Sequence, residues 1–76
     1  MDNKIKLIMS SVFKVSIESI DDDSSPDSLD YWDSLGHMVL ISAIEDEFDI
    51  ELDESEIIEM MNFKLIKLII KEKFND

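Results

Sequence analysis

Apolar positions recur along this chain at helical spacing. Ile5, Ile8, Met9, Val12 and Phe13 follow the i, i+3, i+4, i+7, i+8 pattern of one helix face. The pattern predicts a first helix from about Asn3 to Val15, capped by Asp2 or Asn3. A long connection follows, to about Trp32. Asp21, Asp22, Asp23, Ser24, Ser25 and Pro26 mark it as loop. Ile17, Ile20, Leu29 and Tyr31 are spaced along it and are expected to pin it to the core. So long a loop in so short a chain points to function or to ordered packing. A second helix is predicted over Ser34 to Phe48, a short helical turn over Glu54 to Glu59, and a last helix over Phe63 to Phe74 with Asn62 as its N-cap. On that last helix Lys64, Lys67 and Lys71 share one side, and Leu65, Ile66, Leu68, Ile69 and Ile70 cover the broad opposite side. The expected fold class is all-α: a small four-helix bundle of three main helices plus one short helix, with residues 1–76 forming a single domain.

The second helix has more apolar faces than a core needs. Leu40, Ile41, Ile44 and Phe48 fall within one sector of about 100°, a sufficient core stripe. Leu35, Met38 and Val39 point to the opposite side, near Ser42, Glu45 and Asp46. Either the long loop folds over Leu35 and Met38, or they form an exposed patch. The rim of acids favours an exposed recognition patch for another protein. Methionine suits such a patch because its side chain is flexible and polarizable.

Charge narrows the partners. Nineteen acids against seven lysines, with no arginine, give a formal charge of −12 over 76 residues. All seven lysines lie near the ends, while sixteen acids fall between Lys14 and Lys64. Direct nucleic-acid binding is excluded, since phosphate contacts need clustered Lys and Arg. An anionic membrane surface is disfavoured for the same reason, and no apolar run is long enough to span a bilayer. The expected partners are proteins with basic patches, reached by electrostatic steering. There is no cysteine, hence no disulfide, zinc–thiolate site or cysteine nucleophile. No signal-peptide core is visible in the first fifteen residues, and the expected location is the cytoplasm. A chain this short buries only about 60% of the surface it exposes when unfolded, which argues against a self-contained enzyme with a deep cleft.

Three further motifs bear on the chemistry. Asp21–Asp23 does not begin an EF-hand, because Pro26 and Trp32 stand where that loop needs glycine and glutamate; no dedicated metal site is expected. His37, the only histidine, has no nucleophile or substrate pocket visible around it, so it is read as a polar residue near the site, not a catalytic base. Asp33-Ser34-Leu35 begins the second helix, where free N–H groups and the helix dipole favour an anion. Taken alone, Asp33 or Ser34 is also a simple N-cap.

Together these features resemble the acyl carrier proteins of fatty acid, polyketide and related thiotemplate pathways. The resemblance rests on Asp33-Ser34-Leu35, on the downstream segment Glu45-Asp46-Glu47-Phe48-Asp49-Ile50-Glu51-Leu52, and on length and acidity. It covers nearly the whole chain. It implies that Ser34 is the attachment site of 4′-phosphopantetheine, moved from coenzyme A by a phosphopantetheinyl transferase. The arm's thiol then holds an acyl group as a thioester. It also implies that the second helix and the acids near the third helix dock on basic patches of acyl-loading and acyl-transferring enzymes. The matching positions are Asp33, Leu35, Met38, Glu45, Asp46 and Glu54, and Val39 is expected to share their recognition surface. The chain itself would be a monomeric shuttle, not an enzyme. Three departures from the fatty-acid-synthesis pattern stand out. Gly36 replaces an acidic residue, Val39 replaces a glutamate, and Tyr31-Trp32 replaces a small stretch before the motif. They suggest a specialised pathway. An aminoacyl or peptidyl carrier, and a non-covalent acidic helical interaction module, are the alternatives.

Overall fold

The computed structural model describes residues 2–75, and among them it holds helices and no strand. Helix α1 spans Asp2–Phe13, α2 Ser34–Phe48, α3 Glu54–Glu59 and α4 Phe63–Asn75, with a 3₁₀ turn at Ile17–Ser19 in the long connection. The result is the expected all-helical globule of three main helices and one short one.

Helices α2, α3 and α4 each start where a side chain satisfies one of their free N–H groups. Asp33 Oδ1 accepts from the Gly36 N–H at 2.8 Å, and Asn62 Oδ1 accepts from the Leu65 N–H at 2.8 Å. Helix α3 has only six residues and relies on a capping box: Asp53 accepts from the Glu56 N–H while Glu56 accepts from the Asp53 N–H. Helix α1 departs from expectation at both ends. Asp2 lies inside its first turn instead of capping it, where its charge suits the helix dipole and meets Lys67 and Lys71 at 3.9 Å. At the other end the helix stops at Phe13, because Lys14 turns into the left-handed region (φ 58°). The Val15 N–H then reaches back to the Ser10 carbonyl, and Asp49 (φ 54°) ends α2 in the same way, with Ile50 bonding Glu45.

The core gathers Ile5, Met9 and Phe13 from α1, Leu40, Ile41 and Ile44 from α2, and Phe63, Ile66, Ile69 and Ile70 from α4. Phe48 packs at its edge, against Phe74. Leu65 and Leu68, expected on the apolar side of α4, are instead exposed; they lie beyond the arc that Phe63, Ile66, Ile69 and Ile70 already fill. The long connection is pinned by Ile20, Leu29 and Trp32, not by Ile17 and Tyr31, which are exposed. Trp32 stacks on Phe13 with ring centroids 4.9 Å apart, and this anchor turns the neighbouring Tyr31 ring outward. Loop carbonyls of Asp22 and Ser24 accept from the first N–H groups of α4. The lysines of α4 tie it to the long loop and to α3: Lys67 Nζ lies 2.7 Å from Asp22 and over the Phe63 ring, and Lys73 lies 2.8 Å from Glu56.

Candidate functional site

The start of α2 concentrates the chemistry. Asp33 is extended, its carboxylate turned back to cap the helix, and Ser34 is the first helical residue, with its side chain exposed. The loop lies unusually close to this first turn. A Cβ on Gly36 would stand 2.0 Å from the Tyr31 carbonyl oxygen, so only glycine lets that carbonyl approach. This accounts for Gly36 where an acid was the expectation of the resemblance.

His37, one turn into α2, is half buried. Trp32 Nε1–H donates to its Nδ1 at 2.9 Å, and His37 Nε2 lies 2.8 Å from the Ile57 carbonyl oxygen of α3. One neutral tautomer satisfies both contacts, with Nδ1 accepting and Nε2–H donating. The imidazole therefore joins the long loop, α2 and α3, and the reading of His37 as a polar residue beside the site acquires a structural role that sequence alone did not reveal.

Ser34 opens onto a cleft of about 620 Å³ between α2 and α3. Pro26, Trp32, His37, Met38, Ile58 and Met61 line most of it. Met38, Ile58 and Met61 are each about half exposed or more. Leu35, at 75% exposure, and Val39 extend the apolar surface further round α2. The long loop therefore does not cover Leu35 and Met38. Ile58 and Met61 escaped the sequence reading. The available signal was Ile57-Ile58 in a six-residue helix, where only one of two adjacent residues can turn inward.

The acidic candidates are placed unequally. Glu54 is exposed in the first turn of α3. Asp46 is exposed on the side of α2 shared with Leu35 and Val39, about three turns further along, and borders a groove against α1 lined by Lys4, Leu7 and Glu47. Glu45 is half buried, and its Oε2 accepts from the Leu52 N–H at 2.9 Å, bracing the segment between α2 and α3. Asp53 is held below the usual carboxylate range by the Glu56 N–H and the Ser55 hydroxyl, which fixes the start of α3. Asp22 is likewise lowered by the hydrogen bond from Lys67, and Lys67 is raised by the same contact. Among the described residues no three His, Cys, Asp or Glu side chains gather to hold a metal ion, and no helix is long and apolar enough to cross a membrane.

These residues fit a tethered phosphodiester. The hydroxyl is exposed at the N-terminus of a fifteen-residue helix, where the dipole favours an anion, and an apolar cleft begins beside it. Residues 3–66 match the family described as phosphopantetheine attachment site. Among curated proteins, none matches the chain. With the match spanning most of its 76 residues, the chain belongs to the phosphopantetheine-binding acyl carrier family, whose domain carries covalently attached 4′-phosphopantetheine and is served by transferases and partner enzymes.

Proposed function

We propose that the 76 residues form one monomeric acyl carrier domain, with Ser34 Oγ as the atom that bears the arm. The observation that carries this reading is the exposed Ser34 hydroxyl at the start of α2, within the matched family segment. When bound, the arm supplies a thiol that holds an acyl group as a thioester, in a chain that has no cysteine of its own. Asp33 fixes the first turn by capping Gly36, and so holds Ser34 at the surface. The helix N-terminus favours the phosphodiester charge. The exposed apolar residues Leu35, Met38 and Val39, with the acids Asp33, Asp46 and Glu54 around them, offer a docking surface for transferases and acyl-handling enzymes with basic patches. Charge steering speeds encounter without making the complex tight, which suits a carrier that must leave each enzyme. Glu45 offers less of its carboxylate to a partner, because one of its oxygens already accepts from the Leu52 N–H.

The cargo is an acyl group of a specialised pathway outside primary fatty acid synthesis. Gly36, Val39 and Tyr31-Trp32 support this, since together they remove two acids from the docking face and place a loop carbonyl against the first turn of α2. Incubating the apo chain with coenzyme A and a promiscuous phosphopantetheinyl transferase tests the carrier reading. Intact mass should rise by one phosphopantetheine, and Ser34→Ala should abolish the rise. Comparing loading by a malonyl transferase with loading by an adenylating ligase tests the pathway. Efficient use by the malonyl transferase alone contradicts it.

A further inference from the structure

The cleft beside Ser34 has a floor. Trp32, 1% exposed, stacks on Phe13 of α1 and donates its indole N–H to His37 Nδ1. His37 Nε2–H in turn donates to the Ile57 carbonyl of α3. The contacts run from α1 through the loop and α2 to α3, and so bolt together the two helices that would have to part for anything to pass inward. The interior is filled by Leu40, Ile44, Met60, Ile66 and Ile70, all with no exposed surface. A chain threading past the floor would break both bonds, leaving the indole N–H without a partner and the Ile57 carbonyl with only the longer bond from the Met60 N–H at 3.4 Å. The orphaned indole alone offsets roughly one to four buried methylenes, before any displacement of packed side chains is counted.

We infer that this carrier is specialised for short acyl groups, held in the cleft by the arm on Ser34 and kept out of the helical interior, with Trp32 and His37 as the residues that set the limit. The inference rests on Ser34 being the attachment site. The open cleft between Met38, Ile58 and Met61 offers a short group apolar contact without disturbing the bridge. A long chain gains nothing further, because its distal methylenes stay in water or must dismantle the floor.

The test is a chain-length series on the whole protein. Acetyl, octanoyl and myristoyl groups are installed from their coenzyme A thioesters with a promiscuous transferase, and intact mass confirms each product. Thermal midpoint and the NMR resonance of the Trp32 indole N–H, the only tryptophan, are then recorded. The expected result is octanoyl and myristoyl midpoints within about 2 °C of each other and an indole resonance that is the same with both chains. A myristoyl chain that buried even four methylenes more than octanoyl would raise the midpoint by more than about 10 °C. That outcome, or an indole resonance that shifts between octanoyl and myristoyl, overturns the inference while leaving Ser34 as the attachment site. Absence of any mass gain removes the attachment site and the inference together. In His37→Phe, which keeps a ring and loses both hydrogen bonds, chain-length dependence should appear; should this variant fail to fold, the wild-type series alone decides.

Discussion

Gly36→Ala sets two physical effects of opposite sign against each other beside Ser34. Alanine is the better helix former, and it restricts the unfolded chain more, by up to about 1 kcal/mol in a helix interior and less in the first turn. Against this stands the Tyr31 carbonyl. Ordinary contact begins near 3.4 Å and the added Cβ would have 2.0 Å, so the loop must retreat by about 1.4 Å. It cannot do so freely, because the next residue is the buried Trp32, stacked on Phe13 and bonded to His37. Overpacking of this kind costs about 1–3 kcal/mol. The clash should win, leaving the variant less stable by about 1–2 kcal/mol and lowering its thermal midpoint by roughly 4–16 °C. Urea unfolding checks this directly: the midpoint should fall with the slope unchanged. A variant as stable as wild type, or more stable, refutes the close approach of loop and helix.

Other perturbations separate structural from surface roles. Glu45→Ala should cost about 1–3 kcal/mol in urea unfolding, because the Leu52 N–H loses its partner, whereas Glu45→Gln, which can still accept that bond, should stay near wild type; equal losses would contradict the bracing role. Asp53→Ala should destabilise by about 1 kcal/mol through loss of the cap of α3, with amide exchange in Glu54–Glu59 rising first, and unchanged exchange there counts against it. The Asp22–Lys67 pair makes a pH prediction. Asp22 lies below its free value of 3.8 in the folded state, so its stabilisation is complete above that value and fades as pH falls through the folded one. The stability gap between wild type and Asp22→Asn should therefore close in acid; a gap as wide at pH ~2 as at pH ~7 refutes the pairing.

What the sequence made legible follows from which interactions are local. The bounds of α2 and the capping role of Asn62 could be read directly, because caps and apolar periodicity act within a few residues. The end of α1 could not, since Lys14 adopts a left-handed conformation that a lysine does not advertise. In the long loop the spacing of apolar residues points to Tyr31, whereas Trp32 fills the core. Only the meeting with Phe13, nineteen positions earlier, decides between the two neighbours. Ser34 and the exposed Leu35, Met38 and Val39 were visible as a second face on α2, while Ile58 and Met61 became part of that surface only once α3 was placed. The His37 bridge to Ile57 joins residues twenty apart through a backbone carbonyl, which carries no sequence signature.

Ten serines stand in this chain, and the account depends on one of them. Tandem mass spectrometry of the transferase-treated protein, fragmenting the peptide that spans the start of α2, decides it most directly. The account predicts a single phosphopantetheine confined to Ser34. The same group on any other serine, or an unmodified chain under conditions that load a known carrier, contradicts it.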